Sequence, residues 1–178
     1  NDLKIAENTI LIFMTDNGTS AGCKFPGLDT EPTLGFNAGM RGKKSSIYEG
    51  GHRVPFFLHW PSAGYSEGRD IETLSAHIDV LPTLADLCKL PKPDKRFDVD
   101  GLSLTPLLAG KAKSWKRNHL FLQYHGGAHH KFALGPLTNS VVMTERWRLV
   151  NTDKAEELYD IVNDPAQRNN IASQRPAI

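Results

Sequence analysis

Residues 8–18 read NTILIFMTDNG, and this stretch decides the fold. From Ile10 to Met14 it is continuously apolar and rich in Ile, Leu and Phe. That is the composition of a strand buried on both faces, as in a parallel sheet covered by helices. The run ends in Asp16-Asn17-Gly18 with no second strand close behind it. An Asn-Gly pair closes turns readily, so a strand-end turn is one reading. The position of the turn supplies another. Open α/β sheets bind ligands in the crevice outside the carboxyl ends of their strands. An Asp carboxylate and an Asn carbonyl are oxygen donors suited to a hard cation such as Ca²⁺ or Mg²⁺, which makes Asp16 and Asn17 candidate metal ligands.

Working outward, residues 19–46 are rich in Gly and Pro and have no period of their own. Such a length without secondary structure is uncommon inside a domain unless it is functional or disordered. RVPFFLHWP (residues 53–61) reads as a second buried strand, with Pro55 near its start and Pro61 closing it. HIDVLPTLADLC (77–88) reads as a helix, with Asp79 as N-cap and Ile78, Leu81, Leu84 and Leu87 on one apolar stripe. LTPLLAGK (104–111) is a shorter helical piece stopped by Gly110. Beyond KAKSWKRN the texture changes. HLFLQY, NSVVMT, RWRLVN and EELYDIV are short strands separated by turn residues, and DPAQRNNIAS reads as a closing helix. The expected organisation is an α/β portion over residues 1–112 and a small antiparallel subdomain over 113–178.

Composition narrows the partners. The chain has 178 residues, of which 39% are hydrophobic and 23% charged, as expected of a soluble globular protein. Its 21 basic and 20 acidic side chains leave a net charge of +1, which argues against nucleic acid or a membrane surface as the main partner. No apolar run approaches the ~20 residues a membrane-spanning helix needs. Cys23 and Cys88 sit in no zinc-type pattern; they could form one disulfide, but two free or buried thiols are the simpler reading.

The segment GMRGKKSSIYEGGHRVP (39–55) combines Gly39, Gly42, Gly50 and Gly51 with Arg41, Lys43 and Lys44. Glycines let backbone approach a ligand, and the cations could cradle a tetrahedral anion. Composition alone favours a solvated basic loop before a strand.

Taken together, TDNG and, some twenty-five residues on, RGKKSSIYEGGHRVP resemble the C-terminal half of the sulfatases, the formylglycine-dependent arylsulfatases of the alkaline-phosphatase superfamily. SAHIDVLPTLADL, DGLSLTPLLAG and ELYDIVNDPAQRNNIAS resemble later segments of that family, in the expected order. The resemblance implies an alkaline-phosphatase-like sheet portion followed by a small C-terminal antiparallel sheet with a terminal helix. It implies sulfate-ester hydrolysis with a calcium or magnesium ion, with Asp16 and Asn17 matching metal ligands. Lys44, four residues before Tyr48, matches the lysine that contacts the sulfate and its leaving oxygen. Lys43 is the alternative if the register is shifted by one. Glu49, Gly50 and Gly51 match a signature read as support for the loop. Looser resemblance places a substrate-pocket loop at HGGAHH, making His125 a candidate substrate contact, although solvated loop histidines are the simpler reading.

One departure stands against these matches. The family's nucleophile is a cysteine in Cys-x-Pro-Ser-Arg, oxidised to formylglycine, and neither CKFPG at Cys23 nor CKLPK at Cys88 fits it. The expectation is a chain that begins after the nucleophile-bearing half, is inactive in isolation, and self-associates through the apolar sheet face so exposed. A sulfated small molecule or glycan is the expected substrate, and a periplasmic, secreted or lysosomal location is implied by resemblance alone. The competing expectations are a phosphate or phosphonate ester hydrolase of the same superfamily and a non-catalytic binding or dimerisation module.

Overall fold

The computed structural model describes residues 2–20, 36–91, 99–111, 113, 115–124 and 139–178. It forms two compact units, each made from two separated stretches: Asn1–Phe13 with Phe57–Asn118, and Met14–Phe56 with His119–Ile178.

In the first, the two expected strands form and pair. Strand β1 is Leu11–Met14 and β2 is Phe56–His59, the members of a two-stranded sheet. Phe13 and Phe57 meet across it with ring centroids 6.1 Å apart. Neither strand is buried on both faces, contrary to the reading from apolarity. Leu11, Phe13 and Phe57 are each at least 60% exposed. Their apolar sequence follows from β-propensity and a sheet setting, but no described residue covers those side chains.

The predicted helix over 77–88 is a 3-10 turn, His77–Asp79, running into an α-helix labelled α2, Val80–Leu87. Two details differ from expectation. Asp79 does not cap α2 with its side chain. Fully buried, it accepts the amides of Ala76 and Leu102, each at 2.8 Å, and the Arg117 guanidinium at 2.5 Å. The apolar stripe is not the buried face either, since Ile78 is 47% and Leu81 61% exposed. The helix is anchored through Thr83, whose hydroxyl donates to the Asp79 carbonyl at 2.5 Å and accepts the Leu104 amide at 2.8 Å. Saturated hydrogen bonding makes such polar burial tolerable. The short piece at 104–111 forms as α3, Thr105–Leu108, and ends as expected at Gly110, whose φ is +73°.

The second unit is built on a four-stranded antiparallel meander. Its strands are β3 (Leu120–Gln123), β4 (Ser140–Met143), β5 (Trp147–Asn151) and β6 (Glu156–Asp160), in that spatial order. Register places Val141 opposite Val150 and Arg148 opposite both Met143 and Tyr159. Directly opposed residues share a face, so Val141, Met143, Arg148, Val150 and Tyr159, all buried, form one inner surface. The expected closing helix is a single 3-10 turn, Ala172–Gln174. Polar side chains hold the preceding segment as a loop instead: Asn170 accepts the Leu158 and Ala172 amides, and Asp164 accepts the Asn169 amide. Between β1 and β2 the basic loop contains a helix the sequence reading did not anticipate, α1, Glu49–His52, formed around two glycines.

Candidate functional site

The turn after β1 and the basic loop are joined through backbone. Gly18 donates its amide to the carbonyl of Gly51 at 2.9 Å, and Lys44 donates its amide to the carbonyl of Thr19 at 2.9 Å. Gly50 donates to Arg41 O at 2.7 Å, tying α1 to the start of its own loop. This close approach requires missing side chains. A Cβ on Gly18 would lie 1.8 Å from Gly50 O, and one on Gly51 would lie 2.2 Å from Ser46 O. Both distances are far inside van der Waals contact, so the glycines permit the docking of backbone on backbone.

Asp16 and Asn17 occupy this turn. Asp16 is exposed and Asn17 half-buried, and the Thr15 hydroxyl donates to the Asn17 carbonyl at 3.1 Å. Lys44 is exposed, whereas Lys43 is half-buried. The backbone bond from Lys44 to Thr19 therefore brings the candidate lysine's segment against the turn that carries the candidate metal ligands. His125 and Cys23 lie outside the described residues. Among the described residues, no group of three or more His, Cys, Asp or Glu side chains is gathered as a metal site. Two oxygen donors suit a hard cation in kind but fall short of the six to eight that Ca²⁺ takes. The described residues therefore provide part of a cation site at most.

Two polar networks attach this cluster to the sheet. In the first, Arg41 lies over the Tyr48 ring, 3.8 Å from its centroid, and donates to the hydroxyls of Tyr159 at 2.5 Å and Tyr48 at 3.0 Å. Both hydroxyls in turn donate to Glu157 Oε2, at 2.7 and 2.8 Å. Burial, and then donation to Glu157, raises the pKa of both phenols, which keeps them protonated as the geometry requires.

The second network is more deeply buried. Glu49, 1% exposed, accepts Arg148 Nε at 2.6 Å and Arg53 Nη1 at 3.3 Å. Arg148, itself 5% exposed, also donates to the carbonyls of Thr144 and Trp147. Gln167 accepts the Glu49 amide at 2.8 Å. His52 Nε2 lies 3.9 Å from Glu49 Oε1. Burial lowers the pKa of His52, favouring the neutral ring. Sequence reasoning singled out Glu49 but missed Arg148 and Gln167. They stand 99 and 118 residues away from it, and no local signal links them.

Known proteins place this fold in a class. A solved Bacteroides thetaiotaomicron protein, from work on the metabolism of multiple glycosaminoglycans, superposes with a TM-score of 0.72 at 26% identity, covering 98% of this chain and 37% of that one. The fold is thus the alkaline-phosphatase-like fold of the sulfatases, in the portion these residues span. The chain belongs to the family described as N-sulphoglucosamine sulphohydrolase, C-terminal, whose model matches residues 40–177. It is similar to human steryl-sulfatase, 33% identical over 129 residues, which cover 72% of this chain and 21% of that protein. It is also similar to N-acetylgalactosamine-6-O-sulfatase of Bacteroides thetaiotaomicron, 29% identical over 200 aligned positions, covering all of this chain and 35% of that protein. The chain thus spans only 21% and 35% of the length of these two relatives. Among the described residues, no helix is long and apolar enough to cross a membrane.

Proposed function

We propose that the protein carrying this chain hydrolyses sulfate esters, and that the chain contributes Lys44 to the reacting group and Asp16 and Asn17 to a divalent cation site. The observation that carries this reading is the backbone bond from Lys44 to Thr19, which sets an exposed ammonium-bearing segment beside a turn presenting two oxygen donors. Membership of a sulphohydrolase family supports it.

The chemistry of each residue follows. Breaking the S–O bond leaves negative charge on the bridging oxygen. An ammonium at that oxygen interacts with it more strongly as the charge develops, which is the condition for lowering a barrier. Lys44 takes this role. A calcium or magnesium ion held in part by the Asp16 carboxylate and Asn17 carbonyl would polarise the sulfate oxygens. The family's formylglycine would supply the attacking oxygen, and neither Cys23 nor Cys88 has the sequence context for it. His125 is a proposed substrate contact. A sulfated sugar or small molecule is the proposed substrate, and a periplasmic, secreted or lysosomal setting the proposed location. Residues 1–112 and 113–178 are proposed to belong to the large and small domains of that protein.

The test is the rate of sulfate-ester hydrolysis by the longer protein. Lys44→Ala should lower kcat by several powers of ten, and Lys43→Ala far less. A reversal of the two effects moves the role to Lys43, and an effect from neither overturns the sulfatase reading. A fold hosts more than one chemistry, so a phosphate or phosphonate ester assayed in parallel decides between the two ester classes.

A further inference from the structure

The buried charges around α1 lie outside the chemistry just described, yet they converge on the segment that carries it. The Glu49 amide is the first N–H of a helix whose N-cap residue, Tyr48, offers no side-chain cap. Its acceptor is Gln167 Oε1, which arrives from the far end of the chain at 2.8 Å. Gln167 is 1% exposed and holds a left-handed φ of +52°, a conformation that is strained for a non-glycine residue. Such strain persists where the surroundings enforce it. The Glu49 carboxylate is fixed by Arg148, on the inner face of β5, at 2.6 Å. Both charges are almost fully buried: removing Glu49 takes the carboxylate from a buried Arg148, and removing Arg148 leaves Glu49 the longer contact with the exposed Arg53. From α1 two further bonds lead to the site: Gly51 O accepts the Gly18 amide next to Asn17, and the Gly50 amide reaches Arg41 O at the start of the loop that bears Lys44.

We propose that Glu49, Arg148 and Gln167 are positioning residues that fix the Lys44 loop by holding α1 in place. They touch neither substrate nor cation. They act through Lys44, and the proposal rests on the assignment of Lys44 made above. A misplacement of about 1 Å at a reacting group can cost about 10²-fold in rate. Loss of the clamp should therefore appear in kcat rather than in KM.

The experiment is a double-mutant cycle in the full-length protein, assayed on a sulfate ester well below each variant's melting temperature. Glu49→Gln, which keeps the volume and removes the charge, should lower kcat about 10²-fold with KM nearly unchanged. In a Lys44→Ala background the same change should cost less than about threefold, because the group it positions is gone. Arg148→Lys should recover part of the activity that Arg148→Met loses. Gln167→Met leaves the Glu49–Arg148 pair in place and carries the same cycle if Glu49→Gln does not fold. Equal losses in both backgrounds, or a loss confined to KM, overturn the positioning role and leave Lys44 as assigned. A Lys44→Ala substitution that leaves kcat unchanged overturns both.

Discussion

Gly18 and Gly51 meet amide to carbonyl at 2.9 Å, with no room for a methyl group at either residue. Gly18→Ala would drive a Cβ to 1.8 Å from the carbonyl oxygen of Gly50. Backbone has to move, since the obstructing atom is not the end of a flexible side chain. The expected loss is roughly 3 kcal/mol, read as a lower urea midpoint with an unchanged slope.

The buried centre of the other unit is Asp79, which serves two amides and one guanidinium. Asp79→Ala orphans all of these donors, including a nearly buried Arg117. A cost of about 3–5 kcal/mol is expected, against less for Asp79→Asn, which keeps an acceptor oxygen. Chemical denaturation of both variants checks the order.

Asp160 gives a prediction in pH. Donation from Arg146 at 2.7 Å, aided by Asn163 at 2.9 Å, holds its carboxyl down at about 2. A carboxylate depressed by folding stabilises the native state above its unfolded pKa, and that contribution disappears as pH falls to the folded value. The window therefore runs from about 4 down to about 2. Carbon NMR titration should place Asp160 near 2, and Arg146→Ala should move it up toward the ordinary carboxylate range.

A site with two oxygen donors should bind cations weakly. Calcium added to the isolated chain should shift the amide signals of Asn17 and Gly18 with a Kd on the order of millimolar or weaker. Asp16→Ala should abolish the shift. A shift that survives the substitution would move the cation elsewhere.

The exposed side chains Leu11, Phe13 and Phe57 share one small sheet. Apolar surface of this kind favours association. The isolated chain should sediment as more than a monomer at micromolar concentration, and Phe13→Lys combined with Phe57→Lys should return it to one. A wild-type chain that sediments as a monomer would overturn the self-association expected from the sequence.

Much of this architecture was legible because it is local. Alternating short strands and turn residues marked β3 to β6, and the position of Gly110 marked the end of α3. The strands β1 and β2 were also legible, but their burial was not, since apolarity reports a preference and not what covers the side chain. Asp79 looked like a helix cap because it precedes the helix. Its true partners, Leu102 and Arg117, come from farther along the chain. The helix α1 was hidden by its two glycines, poor helix formers whose small size is what the packing requires. Arg148 and Gln167 were invisible for the same reason that Leu102 was: spacing along a chain carries no signal for pairs brought together only by folding.

The distance along the chain between Glu49 and Arg148 has a consequence for how the protein is made. The two are separated by 99 positions, and Gln167 by 118. During synthesis the loop bearing Lys44 leaves the ribosome long before the strand that supplies Arg148. Contacts of such range form only after the intervening chain has been closed, which slows folding and delays it until the strand and the loop that supply Arg148 and Gln167 have emerged. Glu49 must therefore wait as a solvated carboxylate on an unanchored segment. The residues made later decide when those made earlier take their final shape.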